Sequence, residues 1–232
     1  MMKISYWSDY ACPFCYIGEH RLQKALQELN LADYALEMKA FQLDTHAPQK
    51  STGTTLDRAA TKYGLSKAET ARQIEAVSQM GQAEGLTINY ADTPFTNTMD
   101  AHRLTKYAAG KDPLIADQLA EKLYEAYFAE NRELADSDVL MEKAVESGLS
   151  EAETRELLAS DRYRMEVLAD EQAAVANGVH AVPFFVIGKY GVPGAVSTEQ
   201  MKDILLKAIR DEDGAVAIKA DGMCDSGECR IR

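Results

Sequence analysis

The chain has 232 residues, 46% hydrophobic and 27% charged, enough for a sizeable buried core in one or two domains. A formal net charge of −12, interspersed along the chain, disfavours nucleic acid and anionic membrane surfaces as partners. No apolar run approaches the ~18–20 residues that span a bilayer, and Met1-Met2-Lys3-Ile4-Ser5-Tyr6 opens on a strand with no signal-peptide pattern. The expectation is a cytoplasmic protein, in which four cysteines read as catalytic or redox-sensing rather than structural.

A short β-prone run, Lys3-Ile4-Ser5-Tyr6-Trp7, leads into Ser8-Asp9-Tyr10-Ala11-Cys12-Pro13-Phe14-Cys15-Tyr16-Ile17-Gly18. Apolar residues then recur at Ile17, Leu22, Ala25, Leu26 and Leu29, the spacing of a helix face. Pro13 suits the first helical position, which puts Cys12 at the N-cap and Cys15 one turn inside. The orphan amides and positive dipole end at a helix N-terminus favour a thiolate at Cys12. Cys-x-x-Cys thiols at such sites have a pKa lowered from ~8.5 to roughly 3.5–7.5. Cys15 is placed to attack a mixed disulfide formed at Cys12 and so release the partner. The alternatives are two packed thiols or half of a zinc site. Zinc needs a second Cys/His pair at ligand spacing, and His20, His46, His102 and His180 are scattered singly, so no metal site is expected.

Tyr34-Ala35-Leu36-Glu37-Met38-Lys39-Ala40-Phe41 alternates as a strand with Leu36 and Met38 on one face, and the single helical crossover before it implies a parallel pair. Strand signals stop at His46-Ala47-Pro48, and residues 54–177 read as helices only. Ser66 with Glu69 and Ser150 with Glu153 are capping boxes, while Asn97, Asp112 (before Pro113) and Asp136 are N-caps. A last helix in this stretch covers 162–177 and ends at Gly178. Within Asn97-Thr98-Met99-Asp100-Ala101-His102-Arg103-Leu104, His102 reads as packed against a neighbour. The other reading turns this helix toward the cysteine pair, with Met80, Met99, Tyr90 and Phe95 as an adaptable apolar surface or simply as core.

Gly178-Val179-His180-Ala181-Val182-Pro183-Phe184-Phe185-Val186-Ile187 brings back a buried strand over 183–187. A turn at Lys189-Tyr190-Gly191 and an edge strand Val192-Pro193-Gly194-Ala195-Val196, with Pro193 at its start, are expected next. The capping box of Ser197 and Gln200 opens a helix that carries Met201, Ile204, Leu205, Ala208 and Ile209 and stops by Gly214. In the tail, Cys224-Asp225-Ser226-Gly227-Glu228-Cys229 makes a turn that lets two sulfurs approach. Its readings are a disulfide that only closes this loop, a zinc site short of ligands, or a redox pair that exchanges with Cys12 and Cys15. Reach permits the last: the chain from Arg210 to Cys224 extends to about 45 Å, against roughly 45 Å across a compact domain of this length.

The strand, the Ser8–Gly18 motif, the helix and the downstream Gly178–Ile187 segment together resemble the FrnE-like branch of the DsbA family of thioredoxin-fold proteins. The resemblance covers nearly all of residues 1–212 and leaves out the tail. It implies an α/β fold: a thioredoxin fold (strand-helix-strand … strand-strand-helix) built from residues 1–45 and 178–213, with a large all-helical insertion at 46–177 and a tail at 214–232. It also implies a cis Val182–Pro183 bond facing the cysteines, with the Val182 backbone pairing to an extended substrate segment; an ordinary trans proline at a strand start is the alternative.

The function implied is thiol–disulfide exchange or isomerisation, with Cys12 and Cys15 catalytic and Pro13, Phe14, Val182 and Pro183 contacting substrate. Cys224 and Cys229 are candidates for a relay or regulatory pair. No cofactor beyond the redox-active disulfide is expected, with glutathione or another thiol as electron partner. Partners are thiol- or disulfide-containing proteins or small thiols, and the chain is expected as a monomer or homodimer. Many DsbA proteins carry His where this chain has Phe14, which implies a higher Cys12 pKa and a weaker oxidant. The rival class is the kappa-class glutathione transferases and hydroxychromene-carboxylate isomerases, of similar architecture. These carry serine near the position of Cys12 and lack the second cysteine. A thioredoxin-fold binding module is a third reading, and it has no need of a reactive pair.

Overall fold

The computed structural model describes residues 2–211, so Cys224 and Cys229, the expected second redox pair, lie outside the described residues. Strand β1 (Met2–Ser8), helix α1 (Pro13–Glu28) and strand β2 (Tyr34–Ala40) come first. Helices α2 (Thr55–Tyr63), α3 (Lys67–Ala83), α4 (Met99–Lys111), α5 (Pro113–Phe128), α6 (Ser137–Glu146), α7 (Glu151–Leu158) and α8 (Arg164–Ala176) follow. The chain then returns to β3 (Phe184–Ile187), β4 (Tyr190–Pro193) and α9 (Thr198–Arg210). By contacts the described residues divide into two compact units, 2–41 with 170–211, and 42–169.

The first unit holds a sheet of order β2-β1-β3-β4, with β1 parallel to β2 and antiparallel to β3. The parallel register runs from Met2 opposite Tyr34 to Ser8 opposite Ala40, and Trp7 faces Phe184 across the other side. One sheet face is apolar because alternate residues of β1, Ile4 and Tyr6, join Phe185 and Ile187 against Leu22, Ala25 and Leu26 of α1 and Met201, Ile204 and Leu205 of α9. Leu36 and Met38 of β2 pack onto the same cluster. Each side chain buried there contributes roughly 1.5–3 kcal/mol, which is what fixes α1, and therefore its first turn, against the end of β1.

The second unit is helical. Leu119, Leu123, Tyr124, Tyr127 and Phe128 of α5 are buried with Leu104 and Tyr107 of α4 and Leu140 of α6. Tyr127 meets Phe128 edge to face at 5.0 Å and donates its hydroxyl to the Pro94 carbonyl at 2.7 Å, so its polar end is satisfied inside the core. No helix among the described residues is long and apolar enough to cross a membrane.

Several local expectations shift. The N-cap of α4 is Thr98 rather than Asn97, whose Oδ1 instead accepts the Met99 amide at 2.9 Å. Ser66 and Ser197 form full capping boxes. Ser150 caps α7, but Glu153 does not reach back, because its carboxylate takes the Tyr107 hydroxyl at 2.7 Å and Lys111 Nζ at 2.9 Å. Helix α8 starts at Arg164, later than the expected 162, after Tyr163 with φ of 63°. Strand β4 begins at Tyr190 and ends at Pro193, where it was expected to begin. Gly188 (φ 57°) and Lys189 close a two-residue hairpin with Ile187 opposite Tyr190, so the strand starts earlier, and proline falls at its edge.

Candidate active site

Cys12 is the N-cap of α1, with extended backbone (φ −103°, ψ 110°), and Pro13 is the first helical residue. The turn before it is tied by the Cys12 amide donating to the Asp9 carbonyl at 3.0 Å and the Ala11 amide donating to Asp9 Oδ1 at 3.2 Å. The Cys15 amide donates to the Cys12 carbonyl at 3.0 Å. The helix start is thus rigid, and it presents two free thiols, Cys12 at 4% exposure and Cys15 at 0%.

The Cys12 side chain makes no capping bond to the helix amides. It turns its S–H to the Val182 carbonyl, with sulfur and oxygen 3.7 Å apart. A neutral thiol is a donor and needs an acceptor, whereas the expected amide contacts suit the anion. The Val182–Pro183 bond is cis, and both residues are buried. Of the other expected contact residues, Pro13 is buried and Phe14 half-buried on the first turn of α1.

Cys15 is held in a fully enclosed position. Burial pushes its thiol well above the usual cysteine range, and the hydrogen-bonded Cys12 sulfur pushes it further. The Asp9 backbone N–H and the Ser8 side chain, both hydrogen-bonded to it, act in the opposite direction.

Supporting residues escaped the sequence reading. Gly18 brings α1 against the proline loop: a Cβ there would lie 3.1 Å from Pro183 Cγ and 3.2 Å from Phe185 Cζ. The indole N–H of Trp7 donates to the Asp170 carbonyl at 2.9 Å, and Asp170 Oδ2 accepts the Ala40 amide at 2.8 Å. That pair of bonds fixes the ends of β1 and β2 beside the cysteine turn. Asp170 gave no signal, since its partners are distant in sequence. Ser8 gave one, because it continues the Ile4, Tyr6 alternation onto the core face.

In the helical unit, Asn97, Met99, Asp100 and Arg103 line a cavity of about 570 Å³, along with Gln42 and Arg164, whereas His102 is buried at 2% exposure. Among the described residues no three His, Cys, Asp or Glu side chains come together as a metal-holding group.

Comparison with known proteins agrees with this architecture. A crystal structure of a probable DsbA oxidoreductase from Streptomyces coelicolor superposes with a TM-score of 0.86, at 31% identity over 99% of each chain. The cytosolic disulfide reductase DsbM from Pseudomonas aeruginosa (TM-score 0.62, 14% identity, 90% of this chain and 98% of that one) shares the fold. So does a 2-hydroxychromene-2-carboxylate isomerase (TM-score 0.66, 16% identity, 90% and 97%). The uncharacterised Bacillus subtilis protein YwbO is 27% identical over 217 residues, 91% of this chain and 97% of its own length. The DSBA-like thioredoxin domain matches residues 3–206, nearly the whole described chain, and the protein belongs to that family.

Proposed function

We propose that the chain is a thiol–disulfide oxidoreductase in which Cys12 exchanges with the substrate sulfur and Cys15 resolves the mixed disulfide. The observation that supports it most is the free thiol of Cys12 at the N-cap of α1, hydrogen-bonded to a second, enclosed thiol and to the carbonyl before a cis proline. The residual 4% exposure of Cys12 against 0% for Cys15 orders the steps, since the outer sulfur meets substrate first. Loss of the Cys12 proton removes the donor from the Val182 carbonyl and leaves that oxygen for a substrate N–H. Docking and thiolate formation then favour one another. Pro13, Phe14, Val182 and Pro183 form the contact surface in this reading, with thiol- or disulfide-containing proteins or small thiols as substrates in the cytoplasm.

The rival glutathione-dependent isomerase or transferase draws on a shared fold only, and Cys15 is surplus to it. Glutathione or another thiol is the electron partner in our reading; a structure of DsbM with glutathione exists for that distant neighbour. Insulin reduction tests the proposal, with wild type active and Cys12→Ser inactive. Cys15→Ala is expected to accumulate mixed disulfides with protein substrates, and a variant that traps none rejects protein disulfide exchange. A relay role for Cys224 and Cys229 fails if replacing both by serine leaves potential and turnover unchanged.

A further inference from the structure

Ser8 is the last residue of β1, fully enclosed, in a position where the strand pattern calls for an apolar side chain. Ile4 and Tyr6 point into the core against Leu22 and Leu26, and alternation turns Ser8 the same way. On α1, Cys15 lies on the stripe that continues through Leu22 and Leu26. Strand end and helix start therefore bring the two polar groups together at the edge of an apolar face, and the Ser8 side chain hydrogen-bonds the Cys15 sulfur. The residue is pinned by its own backbone, whose carbonyl accepts the Phe41 amide at 3.0 Å. A buried hydroxyl is costly unless it has a partner, and this one has a reactive sulfur.

We propose that the Ser8 hydroxyl is the donor that steadies the Cys15 sulfur as an anion while it resolves the mixed disulfide on Cys12. The inference rests on the exchange chemistry proposed above for the pair. Cys15 gives up a proton, the equivalent of which the departing partner sulfur takes up, and its sulfur attacks Cys12 Sγ as the bond from Cys12 to the partner sulfur breaks. The partner leaves as a thiolate with the bonding electrons and takes up a proton. The cysteine pair loses two electrons, and the substrate disulfide ends as two thiols. Ser8 keeps its O–H throughout. Its bond strengthens as Cys15 becomes charged, because hydrogen bonds to ions are about twice as strong as neutral ones. The ionisable partner of this sulfur is Cys12 at the N-cap; Glu19 lies one turn further along α1, and Asp9 in the preceding turn reaches the sulfur through its backbone N–H. Phe184 and Phe185, which open β3, carry no ionisable group. None of these residues is altered when Ser8 is replaced.

The two sulfurs can be timed separately with 5,5′-dithiobis(2-nitrobenzoate) in stopped flow, using the reduced full chain with Cys224→Ser and Cys229→Ser. Attack by Cys12 releases one thionitrobenzoate, and resolution by Cys15 releases the second. Ser8→Ala is expected to leave the first phase unchanged, slow the second about tenfold and move its pH midpoint upward. Ser8→Thr keeps the hydroxyl and is expected to keep the second phase. A second phase with wild-type rate and midpoint in Ser8→Ala overturns the proposal. So does equal slowing of both phases, or a threonine variant as slow as alanine. Ser8→Gly makes the same comparison if circular dichroism shows the alanine variant unfolded. Failure of the exchange reading looks different: wild type then releases a single equivalent, or Cys12→Ser reacts as wild type does.

Discussion

At Gly18 the backbone of α1 touches the loop it faces. A methyl group there would meet the Pro183 ring at 3.1 Å, the Phe185 ring at 3.2 Å and the Ala195 backbone at 3.4 Å. None of the three is the free end of a flexible chain, and Phe185 is fully buried. Alanine improves helix propensity by about 1 kcal/mol, while overpacking costs about 1–3 kcal/mol. Gly18→Ala is therefore expected to destabilise by about 1 kcal/mol net in urea unfolding, and a gain in stability would show that the contact yields. Such contacts mark the limit of legibility at this scale. The cap position of Cys12 and the first helical place of Pro13 follow from local backbone chemistry, and the structure has both. What Gly18, Ser8 and the Cys12 sulfur touch depends on how distant segments meet, which local spacing does not encode.

Among the elements, helix starts were the most legible, because a cap is a short-range hydrogen bond. Asp112 and Asp136 accept the Leu114 and Asp138 amides as their positions suggest. Local chemistry misleads where a tertiary partner competes, as Tyr107 and Lys111 do for Glu153, or where a two-residue hairpin at Gly188 and Lys189 resembles a longer turn. Arg103 shows what sequence hides altogether. It is 3% exposed and donates to the carbonyls of Leu157, Ser160 and Arg162 and to Asp100 Oδ1, closing the C-terminal end of α7. A planar fork serves several oxygens at once, which an ammonium group does not. Arg103→Met is expected to cost about 2–3 kcal/mol, since it removes the donors from the buried Leu157 carbonyl and from the part-buried oxygens of Ser160, Arg162 and Asp100. Arg103→Lys recovers only part of that. Hydrogen exchange reports it directly: protection is expected to fall at residues 157–163 and to hold in α5.

Across the whole molecule the carboxylates give two opposed responses to pH. Glu142, lowered to about 2 by the Arg132 and Lys143 hydrogen bonds, represents the carboxylates whose stabilising pairs are lost as pH falls. Asp117 on α5 does the reverse. Burial raises it from 3.8 to about 6, so between those values the native state holds a proton that the unfolded chain has released. Stability from this residue is therefore greatest below about pH 4, falls as pH rises through the window, and stays lost above about 6. Acid-driven loss of ion pairs masks that trend in wild type, and a difference measurement isolates it. Asp117→Asn removes the ionisation while keeping the shape, so it is expected to gain about 1 kcal/mol over wild type at pH 7.5 and nothing at pH 4. Urea unfolding of both proteins at the two pH values decides it. A gain that is the same at both would assign the effect to packing or hydrogen bonding, with ionisation of Asp117 playing no part.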